Sequence, residues 1–172
     1  MNRAQWKFIH SEILTMSLMA AFAHVRVYKE GTSDADRRKL QDTLRKELRN
    51  VSDQYGKRVD DAQHLKNIET LAANIARVHR DTLEGERFGI GPAQKALNLY
   101  LKYLWCFGHI EEPPHCPLDA KILAKAPKLS GKRWTQLGSA GEYMECIDAL
   151  REIARGKSLS LTQWECEKWP SE

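Results

Sequence analysis

The sequence lacks most of the features that mark a specialised class of protein. Its 172 residues contain only four cysteines, and no two of them form a C-x-x-C pair. There is no strand-like alternation of apolar and polar residues, no internal repeat and no low-complexity tract. A P-loop and a dinucleotide-binding fingerprint are also missing. These absences argue against a disulfide-rich scaffold, a β-sheet protein and an enzyme built around either nucleotide-binding loop.

The segment Ile13–Val27 is apolar, but it is too short to span a bilayer, and His24 and Arg26 interrupt it. We therefore expect a buried helix there and no membrane-embedded part. No secretory signal is recognisable at the start of the sequence, so the widely spaced cysteines predict reduced thiols and a cytoplasmic protein. The cysteines are Cys106, Cys116, Cys146 and Cys166.

Neither a metal ion nor a cofactor is predicted. A chain of this length buries about 68–70% of its unfolded surface, so its core does not need a metal or a disulfide. His109 and His115 lie near Glu111, Glu112 and Cys116 in the sequence. Their spacing fits neither an H-E-x-x-H helix nor a Cys/His zinc site.

Helical periodicity runs through almost the whole sequence. Apolar residues recur at intervals of three and four, and Leu40, Leu44 and Leu48 form one line on an otherwise charged helix. We predict an all-α fold in a single domain, 1–172. Its parts are N-terminal helices (1–85), a hairpin, core helix and Pro-x-Asp segment (86–124), and a basic loop with C-terminal helices (125–172). The predicted helices cover about residues 6–28, 34–50, 60–83, 92–107, 118–124, 139–156 and 158–169.

Residue type adds three local predictions. Gly85 is expected to cap the C-terminus of the third helix. Ser158 is expected to cap the N-terminus of the last helix. Met16 and Met19 are expected to fill space in the core.

Positive charge is concentrated in one segment. Lys121–Arg133 contains five basic residues and no acidic one, whereas the residues from Glu142 onward contain seven acidic and four basic ones. Such a basic segment is compatible with contact to nucleic-acid phosphates and equally with a solvated surface. Its basic residues are Lys121, Lys125, Lys128, Lys132 and Arg133.

The stretch F-G-I-G-P, residues 88–92, separates two predicted helices. Gly89 and Gly91 allow a positive φ and leave the backbone bare, and Pro92 suits a first helical turn. The N–H groups at this helix start could meet a DNA phosphate, aided by the helix dipole. The same glycines also fit an ordinary turn between helices.

The helix after this hairpin is rich in apolar and aromatic residues, yet it carries Lys95 and Lys102 on a similar face. A lysine in such a helix has two possible environments. It can extend past its neighbours to solvent or phosphate, or it can lie in a pocket where desolvation makes its amine nucleophilic.

The segment P-P-H-C-P-L-D, residues 113–119, presents a single carboxylate after three rigid prolines. Asp119 opens a short predicted helix, where N-capping is its commonest role. A carboxylate held by helix amides is also well placed for chemistry, so capping and catalysis are compatible.

A glycine hairpin, a lysine just inside the next helix and a Pro-x-Asp opening another helix together resemble the helix-hairpin-helix DNA glycosylase superfamily. The resemblance covers about residues 88–123, roughly a fifth of the chain. Lys95 stands two residues later than the lysine of most members, and its connection to Asp119 is longer. Both features look closest to the archaeal 8-oxoguanine DNA glycosylase branch.

Two other features depart from relatives of that superfamily. Ala120-Lys121 follows the aspartate, where the family usually has a small residue and a histidine. No four-cysteine cluster follows, so the iron–sulfur cluster of some relatives is not implied.

The resemblance implies a DNA-binding protein that flips a damaged or modified base out of the duplex and excises it. Lys95 would attack the sugar C1′ to give a Schiff base, and Asp119 would stabilise positive charge on the sugar and handle protons. Trp134 would stack on the extruded base, or it is a core tryptophan. The residues expected to contact phosphate are Gly89, Gly91, Lys102, Lys121, Lys125, Lys128, Lys132 and Arg133.

Two other functions fit the same residues. A non-catalytic helical module would bind DNA through the hairpin and the basic segment. A protein-interaction module would use residues 88–123 simply as core. No oligomeric state is predicted.

Overall fold

The computed structural model describes residues 1–169, which form seven α-helices joined by loops and short 3₁₀ turns. Within this range no strand forms, although Tyr28 and Leu83 make one antiparallel bridge. The predicted all-α fold class is confirmed. The last three residues of the predicted C-terminal segment lie outside the described range. The helices are α1 Arg3–Phe22, α2 Asp34–Ser52, α3 Asp61–Val78, α4 Ile90–Cys106, α5 Ala120–Leu123, α6 Ala140–Arg155 and α7 Leu161–Lys168.

Helix α4 lies at the centre of the fold. It packs against α1, α2, α3 and α6, and most of its residues are buried. A helix that is apolar nearly all round can be stable only when other elements cover it on several sides. Leu97, Leu101 and Leu104 of α4 join one contiguous core with side chains from all parts of the described chain.

Side-chain caps fix where several helices begin. Ser33, Asp60 and Ser139 each accept a backbone N–H from the first turn of α2, α3 and α6, respectively. The predicted cap of the last helix is wrong, because Ser160 caps α7 and Ser158 lies in the preceding turn with a φ of 59°. The cap of α7, and with it the start of the helix, therefore lies two residues later than expected.

Helices α1 and α3 both end earlier than their apolar periodicity predicts. Helix α1 ends at Phe22 so that the chain can extend to the bridge between Tyr28 and Leu83. Helix α3 ends at the exposed Val78, and Gly85 lies beyond it in a turn with a φ of 59° instead of capping it. Burying Leu83 completely requires non-helical backbone at this place, so the tertiary contact overrides the local pattern.

The expected core positions of Met16 and Met19 are wrong. Both side chains are exposed, because α1 turns Ile13, Leu14 and Leu18 toward the core. Within residues 1–169, no helix combines the length and the apolar character needed to cross a bilayer.

Candidate active site

Lys95 and Asp119 meet inside the protein. The Nζ atom of Lys95 lies 2.8 Å from Oδ2 of Asp119, and the two side chains are only 6% and 13% exposed. The other carboxylate oxygen, Oδ1, accepts the Ile122 N–H at 2.9 Å at the start of α5. The predicted capping role of Asp119 is confirmed, and the same carboxylate also holds the lysine amine.

Two side-chain amides on α4 fix the backbone that leads to Asp119. Gln94 donates from Nε2 to the Leu118 carbonyl at 3.1 Å and accepts the Leu118 N–H at 3.0 Å. One turn later, Asn98 donates to the Cys116 carbonyl at 3.0 Å. Because Gln94 directly precedes Lys95, its paired hydrogen bonds place Asp119 beside the Lys95 amine.

The Lys95–Asp119 pair forms part of the wall of a cavity of about 480 Å³, which we call the lysine cavity. This volume lies in the range of about 300–1,000 Å³ that is typical of small-molecule sites. Apolar and aromatic groups form most of the remaining wall. The lining residues are Met16, Ala20, Ala23, His24, Lys95, Leu99, Lys102, Tyr103, Asp119, Ala120, Lys121, Trp134 and Trp169.

A larger cleft of about 810 Å³ lies elsewhere, between the start of α3, the end of α6 and the start of α7. Half of its lining residues are charged, including Arg58, Asp61 and Arg151. Neither Lys95 nor Asp119 borders it. The lysine cavity is therefore the candidate site, although it is the smaller of the two.

A second buried ion pair borders the lysine cavity. Lys102 lies two turns after Lys95 on α4, and its Nζ atom is 2.6 Å from Oε2 of Glu165 on α7. Burial raises the pKa of Glu165, while the Lys102 ammonium acts in the opposite direction. Lys102 was expected to contact phosphate, but its side chain is only 10% exposed and pairs with this internal carboxylate.

Trp169 covers the three ammonium groups of the lysine cavity. Its ring centroid lies 5.5 Å from the Nζ atoms of Lys95 and Lys102 and 5.4 Å from that of Lys121. These distances are within the range of cation–π attraction. The residue directly follows α7 and is 45% exposed, so its indole lies between the buried amines and solvent. Sequence reasoning missed Trp169 and Glu165 because α7 is distant from α4 in sequence.

Trp134 is a core tryptophan, as one of the two expectations has it, and it also borders the lysine cavity. It is 5% exposed. Its backbone carbonyl lies against Gly91 so closely that a Cβ atom on Gly91 would come within 2.3 Å of it. Gly91 is thus required for the close approach between α4 and the 3₁₀ turn Trp134–Gln136, which we call the Trp134 turn.

The hairpin glycines differ from their expected conformation. Helix α4 begins at Ile90, so Gly91 is already helical, and Gly89 is the N-cap with a φ of −77°. Neither glycine has a positive φ. Since the Trp134 turn covers the buried Gly91, phosphate contact with the backbone of this hairpin is restricted to the half-buried Gly89 and Ile90.

Two lysines of the basic segment pair with acidic residues of α6. Lys128 Nζ lies 2.8 Å from a Glu152 oxygen, and Lys132 Nζ lies 2.5 Å from a Glu145 oxygen. The positive charge of this segment is accordingly reduced at its surface. Its other basic residues, Lys121, Lys125 and Arg133, are exposed.

The neighbouring face of α4, toward α3 and α6, carries a buried network of amide, imidazole and phenol groups, which we call the Asn98 network. Asn98 accepts at Oδ1 from His64 Nε2 at 2.8 Å and donates from Nδ2 to Tyr143 Oη at 3.0 Å. His115 Nδ1 lies 2.9 Å from Tyr143 Oη, and its Nε2 atom lies 3.2 Å from Asp61 Oδ1. His115 is thus a member of this network, while His109 stacks on Trp6 with ring centroids 3.7 Å apart.

Comparison with protein-family models, with curated proteins and with solved structures gives no match to this chain.

The geometry of the lysine cavity permits a defined chemistry. A primary amine lies in contact with a carboxylate that can accept its proton, and both border a cavity with aromatic walls. An amine that is held next to a general base in a desolvated site can act as a nucleophile toward an electrophilic carbon.

Proposed function

We propose that this chain binds DNA and excises a damaged or modified base by covalent catalysis with Lys95. The observation that carries this proposal is the 2.8 Å contact between Lys95 Nζ and Asp119 Oδ2 in the wall of the lysine cavity. The two residues predicted to be catalytic could have lain on different faces of the fold. Their contact in a shared cavity supports the assignment of nucleophile and proton acceptor.

Lys95 must be neutral before it can attack, and Asp119 Oδ2 is within reach of the departing proton. The amine nitrogen then forms a bond to the sugar C1′ while the glycosidic C–N bond breaks and its electron pair leaves with the base. Asp119 stabilises the positive charge that develops on the sugar. Loss of a proton from nitrogen and opening of the sugar ring give a Schiff base, which water hydrolyses or which proceeds to strand cleavage by elimination.

The aromatic groups of the lysine cavity suit an extruded base. Such an enzyme has to take its target base out of the stack and hold it against aromatic or apolar side chains. Trp169 is partly exposed at the cavity and is the group best placed to stack on the base. Trp134, fixed by the core, forms a rigid part of the wall.

Phosphate contacts are assigned to the exposed cations near the lysine cavity. Lys121 lies at the cavity itself, and Lys125 and Arg133 are exposed in the segment that follows. Contacts of this kind give an affinity that falls steeply with salt and does not depend on sequence. A cytoplasmic location, with reduced thiols, is part of the proposal.

Borohydride trapping tests the covalent step. The full chain is incubated with duplexes that contain oxidised, deaminated, alkylated or abasic sites, and borohydride reduces any Schiff base to a stable adduct. We expect an adduct with the wild-type chain and with Lys102→Arg, but none with Lys95→Arg. Both variants keep a cation in a buried ion pair, so they differ in which amine is lost. Asp119→Asn is expected to slow adduct formation by a factor on the order of 10²–10⁴.

The other functions give different results in the same experiment. Salt-sensitive binding to duplex DNA without an adduct on any of these substrates would identify a non-catalytic DNA-binding module. Absence of both binding at low salt and adduct formation would overturn the proposal and favour a protein-interaction module.

A further inference from the structure

Two thiols lie where α4 and α7 meet, and the proposed catalysis uses neither of them. Cys106 is the last residue of α4 and comes four residues after Lys102, so the two side chains share one helix face. Cys166 directly follows Glu165 on α7. The 2.6 Å contact between Lys102 and Glu165 joins the two helices at this point, with Cys106 one helical turn beyond it on α4 and Cys166 the next residue on α7.

The two thiols differ in their environment. Burial raises the pKa of Cys166 to about 11, and the neighbouring thiol of Cys106 contributes in the same direction. Both thiols are free, and Cys106 is exposed while Cys166 is half buried. The other two cysteines, Cys116 and Cys146, are fully buried. Cys106 is therefore the thiol that a reagent in solution reaches first.

We propose that Cys106 and Cys166 form a site of reversible oxidation, at which a low-molecular-weight disulfide such as oxidised glutathione converts them into an intramolecular disulfide. The Cys106 thiolate attacks the reagent's S–S bond and releases one thiol, giving a mixed disulfide. Cys166 then gives up its proton and attacks the Cys106 sulfur, which releases the second thiol. Two protein thiols are oxidised and one reagent disulfide is reduced to two thiols, so atoms and electrons balance.

Such a disulfide would attach the short helix α7 to α4. Helix α7 has eight residues, carries Glu165 and is followed directly by Trp169, which covers the lysine cavity. Oxidation would hold this part of the cavity wall in place, and reduction would release it. An effect on base excision rests on the proposed function, whereas formation of the disulfide does not.

The test uses the full chain in buffers with different ratios of oxidised to reduced glutathione, quenched with N-ethylmaleimide. Intact mass and peptide mapping then report which cysteines are protected. We expect a species that lacks two alkylations and gives a peptide linking Cys106 to Cys166, and we expect this species to revert with excess reduced glutathione. Cys106→Ser and Cys166→Ser should each abolish the linked peptide, and the matched control Cys146→Ser should retain it.

Two further measurements show whether the disulfide fixes α7. Closing a loop of this length should raise Tm by an amount on the order of 5–10 °C, and backbone amides of α7 should exchange with deuterium more slowly in the oxidised chain. A stable mixed disulfide at Cys106 without the linked peptide, or disulfide-linked dimers, would overturn the site. A linked peptide with unchanged Tm and unchanged exchange in α7 would overturn its role in holding the helix. All these readouts are independent of DNA, so a failure of the proposed catalysis leaves them interpretable.

Discussion

Helix α4 carries two kinds of buried polar side chain on adjacent faces. Toward α3 and α6, Gln94 and Asn98 bond to each other, and Asn98 also bonds to Tyr143 in the buried Asn98 network. On the side of α1 and α7, Lys95 and Lys102 form ion pairs next to a cavity. Burying a neutral group costs little once it is hydrogen-bonded, whereas burying a charge carries a desolvation cost that pairing offsets only in part. The amides therefore stabilise the fold, and the amines are where we expect chemistry.

The largest expected effect is on the amide side. Asn98→Ala removes hydrogen bonds to His64, Tyr143, Gln94 and the Cys116 carbonyl and leaves buried partners unsatisfied. We expect the free energy of unfolding to fall by about 3–5 kcal/mol, measured by urea unfolding.

The matched change on the amine side is the double variant Lys95→Gln with Asp119→Asn, which removes both charges of the pair at once. It should reduce the free energy of unfolding by only about 1–2 kcal/mol, because no buried charge is left unpaired and the amide introduced by Asp119→Asn can still accept the Ile122 N–H. Equal losses for Asn98→Ala and this double variant would remove the distinction between the two groups.

The next effect concerns the contact of α4 with the Trp134 turn. Gly91→Ala would place its Cβ atom 2.3 Å from the Trp134 carbonyl oxygen, so backbone has to move. We expect a loss of about 2–3 kcal/mol in urea unfolding. Gly89→Ala is the control, since the nearest atom to its new Cβ would be Pro92 Cδ at an ordinary 3.8 Å. If Gly91→Ala and Gly89→Ala had the same free energy of unfolding, the close approach of Gly91 to the Trp134 carbonyl would be contradicted.

A smaller effect is expected from pH, again on the amide side. Burial lowers the pKa of both His64 and His115, so these histidines are neutral in the folded chain. Below their unfolded pKa of about 6.5 the unfolded chain binds protons that the folded chain does not, and stability falls by up to about 1.4 kcal/mol per pH unit for each. Urea unfolding at pH 7.5 and 5.5 should differ by about 2 kcal/mol.

Two controls accompany the pH experiment. His115→Gln should reduce this dependence between pH 7.5 and 5.5 by about half, because His64 remains. A flat profile for the wild-type chain would contradict the neutral state of both histidines. The pH dependence of stability that Asp61 contributes lies at lower pH, because its hydrogen bond to His115 lowers the pKa of its carboxyl group. Its contribution is present above about pH 4 and is lost only below that value.

The smallest effect is expected at the surface of the basic segment. Lys128→Ala removes an ion pair whose two side chains are 74% and 62% exposed. Solvent and salt screen such pairs, so Tm should stay within about one degree of the wild-type value in differential scanning calorimetry. A fall in Tm of several degrees would mean that this surface ion pair contributes to stability as much as the buried polar groups do.

The sequence was most informative where local rules apply. The periodicity of apolar residues predicted the helices, and Asp119 was correctly expected as a cap because a side-chain oxygen beside a helix start has few better partners. Prediction failed at Gly85, Ser158 and Met19, where a turn or a packing direction depends on distant residues. The sequence singled out Lys95 and Asp119 as a pair, but it did not predict the distance between their side chains.

The sequence by itself determined the all-α class, the burial of α4 and the presence of one lysine and one aspartate at the two ends of an apolar stretch. Only the tertiary structure decided which groups surround them. Gln94 places Asp119 beside Lys95, and α7 supplies Glu165 and Trp169 from about 60 residues further along the chain. Local periodicity acts over three or four residues, whereas a site formed by α1, α4 and α7 depends on how whole helices pack against one another.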